Sequence, residues 1–396
     1  MRLMAICHDS VGIGHLRRTF AIAEQATRTI PSCRVLVLSG SLHAAHFTLP
    51  QRVDYVKLPA LCKGPDYRYC AKSLGISFAD TVAVRSSIIT ATAASFRPDV
   101  LLVDKSPLGV QGENEKAIRL VKDRYPATRT IFGMRDIEDA PDVTIDEWRR
   151  NGQYDALARY FDEIWVYGDS RVFDVAEAYQ LPESITRKLR YVGYVSKPDC
   201  GHEHVDDPSR NGSLRLLVTV GGGTDGFSLL DQFLSDPVAR VGERPVETTI
   251  VGGPDLPRAQ AVQLRQRAAA IEGVTFRDVM PCMMCAYRGV DAVLTMGGYN
   301  TMVEVVRTGR RMLVYPRVEP RLEQYIRAKR FALLHLCEAL DPNCMTPARL
   351  HAAVERLLSR SGPETAWHPN LDGLTNVARR LSRLEATIRD SMAVFV

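Results

Sequence analysis

An apolar run, Ala292-Val293-Leu294-Thr295-Met296, stops at Gly297-Gly298-Tyr299-Asn300 and passes into a segment of helical composition from Thr301 to Thr308. A strand that feeds a helix through a glycine turn aims backbone N–H groups and the positive end of the helix dipole at one spot. That spot suits a phosphate. Thr301 supplies a hydroxyl fit to cap such a helix. Glu304, one turn further, carries a carboxylate that accepts hydrogen bonds from vicinal hydroxyls such as those of a ribose. Glu323-Gln324 follow after one more short strand. Taken alone, the segment reads equally well as a tight βα connection with a solvated glutamate, so its companions decide.

Two further glycine turns sit between a strand and a helix. Gly12-Ile13-Gly14-His15-Leu16-Arg17-Arg18 joins the first strand to a helix whose buried face is marked by Leu16, Phe20, Ala23 and Ile30. His15 falls in the first helical turn, where the dipole disfavours the charged imidazole and leaves a base able to accept a proton at pH 7. Gly221-Gly222-Gly223-Thr224-Asp225-Gly226 satisfies the spacing of a dinucleotide fingerprint. That fingerprint also expects an acidic residue about 20 residues on, at the end of the second strand. Here the second strand ends in Gly252-Gly253, which favours a diphosphate cradle over a nicotinamide site.

Other motifs carry less. Cys282-Met283-Met284-Cys285 has no second cysteine or histidine pair at zinc spacing and an apolar setting, so it reads as a buried helical turn. His202-Glu203-His204 lies in a polar stretch and reads as solvated. Walker A, HExxH and GxSxG sequences are missing.

The elements that must position these residues alternate between short apolar runs and helical stretches, the pattern of a parallel α/β sheet. Strands are predicted at Leu3–Cys7, Arg34–Ser39, Val100–Val103, Thr130–Gly133, Glu163–Tyr167 and Arg190–Val195. After a break they are predicted at Leu214–Val220, Glu247–Gly252, Val274–Asp278, Ala292–Met296 and Arg311–Tyr315. The break, 197–213, is polar, rich in Pro and Gly, and without apolar periodicity, so it is read as a linker. A chain of 396 residues is too long for one core. The expectation is two Rossmann-like domains, 1–196 and 214–370, with a ligand cleft between them. In the final segment, 371–396, Leu374, Val377, Ala378, Leu381, Leu384 and Ile388 recur at helical spacing. That favours a packed terminal helix, set back on the N-terminal domain, over one lying on a membrane.

Composition narrows the class. A hydrophobic share of 45% and a charged share of 24% are ordinary for a globular chain. A net charge of +5 over this length is no nucleic-acid signature and allows at most peripheral membrane contact. The apolar start breaks at His8-Asp9, too short for a signal peptide, and no run approaches a membrane span. Nine scattered cysteines fit free thiols in a reducing cytoplasm. The oligomeric state is not legible.

In this order the pieces resemble a GT-B glycosyltransferase, α/β with two Rossmann-like domains facing a cleft, and are similar to glycosyltransferase family 28. That family includes the lipid-linked GlcNAc transferase of peptidoglycan synthesis. The nearest likeness is to a bacterial branch of predicted glycosyltransferases. The segments that carry it are 8–18 (HDSVGIGHLRR), 104–109 (DKSPLG), Arg135-Asp136-Ile137, 163–168 (EIWVYG) and 191–195 (YVGYV).

The resemblance implies an acceptor-binding N-terminal domain and a C-terminal domain for a nucleotide-sugar donor, usually a UDP-sugar. By position, Gly222, Gly223 and Thr224 would touch the diphosphate, and the backbone near Met280 would read the base. Gly297, Gly298, Asn300 and Thr301 would line phosphate and sugar. Glu304 would hold the ribose, and Glu323 with Gln324 the sugar hydroxyls. Gly12, Gly14, Arg17 and Arg135 fall on the acceptor side. Tyr299 and Asn300 depart from the small hydroxyl residue common in that family's turn.

The expected activity is therefore an inverting, metal-independent transfer of a sugar, a hexose or N-acetylhexosamine, to a hydroxyl acceptor. His15 is the expected base, and Asp104 its reserve or the carboxylate that orients it. The nucleotide sugar is a co-substrate, and no cofactor is expected. The acceptor could be a small molecule, a glycan or a lipid-linked sugar. Rival readings are a nucleotide-sugar hydrolase or epimerase on the same fold, or a non-catalytic nucleotide-sugar-binding protein.

Overall fold

Short runs of Val, Leu and Ile flanked by polar turns form the strands of two sheets, and amphipathic helices connect them. The computed structural model describes residues 1–8, 13–64, 68–196, 200, 212–360 and 367–393. Gly12, the His202-Glu203-His204 cluster and most of 197–213 lie outside the described residues. The chain divides into two compact units, Met1–Ser196 with Asp372–Val396, and Lys197–Leu371.

Unit 1 holds β1 (Arg2–Ile6), β2 (Arg34–Ser39), β3 (Val53–Lys57), β4 (Leu61–Lys63), β5 (Tyr69–Ala71), β6 (Val100–Asp104), β7 (Arg129–Arg135), β8 (Glu163–Tyr167) and β9 (Leu189–Tyr191). Seven of them form a parallel sheet in the order β3-β2-β1-β6-β7-β8-β9, while β4 and β5 pair as a separate antiparallel ribbon. The strand order reverses between β1 and β6, where Leu3 pairs with Val100 and Ile6 with Val103. At such a switch point the connections leave toward opposite sides and open a crevice beyond the carboxyl ends of the strands. His8 and Asp104 stand at those two ends.

Unit 2 repeats the plan with β10 (Leu214–Thr219), β11 (Arg240–Val241), β12 (Arg244–Val251), β13 (Val274–Arg277), β14 (Ala292–Thr295), β15 (Arg311–Val314) and β16 (Glu338–Ala339). The order is β11-β12-β10-β14-β15-β16, with β13 also pairing with β12, and all pairs but β11·β12 are parallel. The switch point lies between β10 and β14. Behind it a core of Leu216, Val218, Leu230, Phe233, Leu264, Leu294 and Leu313 is sealed from solvent.

The C-terminal helix, Gly373–Ala393, belongs to unit 1 and packs on the Gly14–Thr29 helix. Its Leu374, Val377, Ala378 and Leu381 are buried. Asn376 Nδ2 donates to Val192 O at 2.9 Å, and Arg380 makes two bonds to Glu163, at 3.0 and 2.8 Å. None of the described helices is long and apolar enough to cross a membrane.

The structure departs locally from the sequence reading. β9 ends at Tyr191 rather than Val195, because Gly193 turns to φ 92 and leaves the extended region. β3, the β4–β5 ribbon, β11 and β16 are additional. They are two to five residues long and half exposed, so they carry little apolar periodicity.

Candidate functional site

In unit 1 the Gly14–Thr29 helix places His15 opposite Asp104, the last residue of β6. The His15 Nδ1–H donates to Asp104 Oδ2 at 2.5 Å, and Arg18 Nη2 donates to Asp104 Oδ1 at 2.6 Å. Arg18 Nη2 also lies 2.8 Å from His15 Nδ1. An Nδ1 that gives its proton to a carboxylate cannot accept another, so the guanidinium hydrogen goes to Asp104. That network fixes the tautomer and directs the Nε2 lone pair away from the carboxylate.

Burial lowers the His15 pKa to about 4, against the opposing pull of Asp104, so the ring is neutral at pH 7. Burial, more than the helix dipole expected from the sequence, is the main cause. Burial alone would push Asp104 up, but the Arg18 guanidinium and His15 hold its carboxyl well below the usual carboxylate range. The result is a fixed carboxylate that orients a neutral imidazole, the arrangement a general base needs.

The surroundings add residues that sequence reasoning missed. Arg18, only 3% exposed, lies three residues after His15 and so on the same helix face, a spacing that could have flagged it. Its guanidinium stands 4.8 Å from the ring centre of Tyr167 at the end of β8. His8, just past β1, lies edge-on to His15 at 5.6 Å, and its Nε2 is 3.2 Å from Tyr69 Oη. Desolvation holds its pKa well below the ordinary histidine value. Lys105 follows Asp104 with φ 62, a left-handed strain of the kind concentrated at functional sites, and bonds Glu138 at 2.7 Å.

Of the acceptor-side residues expected from the sequence, Gly14 opens the helix and Arg17 is half-buried. Arg135 ends β7 close enough to act electrostatically on His15, and its buried Nε has no hydrogen-bond partner among the described residues.

In unit 2 the expected donor residues gather at the carboxyl ends of the strands. The turn Gly221-Gly222-Gly223 after β10 lies backbone to backbone on Gly252-Gly253 after β12. A Cβ on Gly223 would come 2.4 Å from Gly252 O, and one on Gly253 would come 2.4 Å from Gly221 O. Asp255 N donates to Gly222 O at 2.7 Å, and Gly253 N to Asp278 O at 2.9 Å. The loop holding Met280 is thereby tied to the same turn. Thr224 is exposed beside it.

The turn after β14 meets this cradle. The Tyr299–Thr308 helix starts two residues before the predicted Thr301, with Gly298 as its N-cap and no side-chain cap. Gly298 is extended (φ −65, ψ 134) and its carbonyl already accepts from Met302 N, so Thr301 is left within the first turn. Its Oγ1 lies 3.7 Å from where a Cβ of Gly221 would stand. Asn300 is half-buried beside it.

Gly297 packs against the Gln324 backbone, and the buried Arg327 donates to Gly297 O at 2.8 Å. Glu304 is 4% exposed, which overturns the picture of a solvated glutamate. Glu323 is 5% exposed and pairs with Arg317 Nη2 at 2.5 Å, while Arg317 Nε stands 3.5 Å from Asp225. Glu323 Oε2 is buried with no partner among the described residues, an acceptor poised for a hydroxyl. Gln324 Oε1 accepts from Arg317 N at 3.4 Å.

Comparison with known proteins bears on the fold and on unit 2. Residues 217–371 match the glycosyltransferase family 28 C-terminal domain, a range that contains every donor-side residue named above. No curated protein matches the sequence. Among solved structures, MurG of Acinetobacter baumannii is 14% identical with a TM-score of 0.57, covering 98% of each chain. The glycosyltransferase SnogD from Streptomyces nogalater is 18% identical with a TM-score of 0.57 over 100% of both chains. Arabidopsis thaliana UGT89C1, complexed with UDP-L-rhamnose, is 12% identical with a TM-score of 0.58, covering 98% of this chain and 95% of that one. The chain has the GT-B fold, and residues 217–371 of its second unit match the C-terminal domain of glycosyltransferase family 28.

Proposed function

We propose that the protein transfers a sugar from a nucleotide-diphosphate sugar, UDP-linked, to a hydroxyl acceptor with inversion at the anomeric carbon. The observation that carries this reading is the meeting of two glycine turns at the β10/β14 switch point, with Thr301 against Gly221. In the reaction the acceptor oxygen forms a bond to the anomeric carbon, and the bond from that carbon to the diphosphate oxygen breaks. His15 Nε2 takes the acceptor proton. Charge on the departing diphosphate is stabilised by backbone amides of the glycine turns and by the helix N-terminus. UGT89C1 was solved with a UDP-sugar, which supports the donor class.

The test is incubation with UDP-, dTDP- and GDP-sugars, with and without a panel of hydroxyl acceptors. Transfer is expected to give the inverted glycoside at the same rate with EDTA or magnesium present. Loss of activity in EDTA with recovery on adding magnesium would remove metal independence from the proposal. Rapid release of free sugar without acceptor would point to hydrolysis, interconverted nucleotide sugar to epimerisation, and binding without turnover to a sensor.

Glu304 is assigned the ribose hydroxyls. Losing a charge-assisted hydrogen bond costs about 1.5–3 kcal/mol, so Glu304→Ala is expected to weaken donor binding roughly ten- to a hundredfold. Gln324→Ala is expected to change discrimination among sugars more than affinity for free nucleotide. Calorimetric titration of the folded variants checks both, and unchanged donor affinity in Glu304→Ala would remove that residue from the site.

A further inference from the structure

Cys282 and Cys285 read from the sequence as a buried turn, but the structure brings a third thiol to them. Cys200, at the start of unit 2, places its Sγ 3.5 Å from Cys285 Sγ, and all three sulfur atoms lie within 4.8 Å of one another. Thiolates around a tetrahedral zinc ion stand about 3.8 Å apart, given a Zn–S bond of about 2.3 Å. All three are half-buried, open enough for an ion to enter.

The backbone is also arranged for a thiolate at Cys282. That residue caps the Met283–Arg288 helix with φ −142 and ψ 111, and its sulfur accepts the Cys285 N–H at 3.5 Å. The Met284 N–H points at the same sulfur. Successive N–H donors to the first sulfur of a CxxC turn offset its negative charge and fix its direction, as ligand-orienting contacts do around metals.

We propose that Cys200, Cys282 and Cys285 form a three-thiolate site for a soft, thiophilic metal ion, with Zn2+ the expected occupant. Soft sulfur ligands in tetrahedral array select zinc over magnesium or calcium. Among the described residues three ligands are gathered. The ion staples the first stretch of unit 2 to the loop after β13 that carries Met280, two residues before Cys282. Its role is structural, separate from the transfer chemistry, and does not depend on which sugar is moved.

The test uses the full chain, reduced and freed of metal, with Co2+ as the probe. Cys62 and Cys70, whose sulfurs lie 2.6 Å apart on the β4–β5 ribbon, are first replaced by serine to remove a competing thiol pair. One equivalent of Co2+ is expected to give a sulfur-to-cobalt charge-transfer band, and Zn2+ to displace it. Cys285→Ser and Cys200→Ser are expected to lower Co2+ affinity roughly a hundredfold or more. Cys344→Ser, at an exposed thiol outside the cluster, is expected to leave it unchanged. Circular dichroism checks that each variant folds, and the stoichiometry of the unsubstituted cluster stands without them. A missing band, a band that survives in a folded Cys200→Ser variant, or conversion of the cluster to a disulfide without metal uptake would overturn the proposal.

Discussion

His15→Ala is expected to lower turnover about 10²–10⁴-fold, the usual worth of a positioned general base. Donor affinity should barely change, because the donor-side residues belong to unit 2. Two properties favour His15 over Asp104 as the proposed base. The Asp104 carboxylate already accepts from His15 and Arg18 and is held well below the usual carboxylate range, so it takes up a proton poorly. His15 makes its bonds among the described residues through Nδ1, which leaves Nε2 for the acceptor.

The sign of the pH dependence follows. A base works in its neutral form, and burial lowers the His15 pKa to about 4. kcat/KM should therefore stay level as pH falls through 6.5 and break only near 4. Asp104→Asn should lower turnover by disordering the imidazole while keeping some base catalysis. If His15→Ala kept near-full turnover and Asp104→Asn abolished it, Asp104 would be the base.

Much of this framework is legible from local sequence. β2 and β8 are buried parallel strands whose unbroken apolar runs mark both ends correctly, and the three glycine turns fall where ligands bind such sheets. What escapes sequence is contact across the register. Asp104, 89 residues from His15, could be named as its reserve or orienting carboxylate, but the contact itself depends on β1 and β6 pairing in the middle of the sheet. Arg18 shares the helix face of His15 by its spacing, but its carboxylate partner, 86 residues away, comes from the same strand pairing. Cys200 is 85 residues from Cys285, beyond any spacing rule for a metal site. The Thr301 cap was misplaced because a glycine at Gly298 can start a helix without a side chain, and nothing in a hydroxyl two or three residues on forbids it.

Gly223→Ala is expected to melt unit 2 early. Gly223 has φ +101, a conformation L side chains rarely adopt, and an added Cβ would meet Gly252 O at 2.4 Å and Leu256 N at 2.9 Å. Both are backbone atoms and cannot swing aside as a long side chain can. Left-handed strain costs about 1–3 kcal/mol and overpacking about 1–3 more, so the loss is about 2–6 kcal/mol. For a unit of this size, that lowers its melting temperature by about 4–24 °C. Gly253→Ala faces the same conflict from the other side, with φ +85 and Gly221 O at 2.4 Å. Gly222→Ala is the control: its Cβ would meet only Asp255 Oδ2, at 3.4 Å, and no left-handed φ opposes it. That variant should melt within about 1 kcal/mol of the parent yet bind donor more weakly, because Gly222 is assigned the diphosphate. Differential scanning calorimetry with and without UDP-sugar separates the two effects. A Gly223→Ala protein that melts like the parent would mean that the two glycine turns do not lie backbone to backbone.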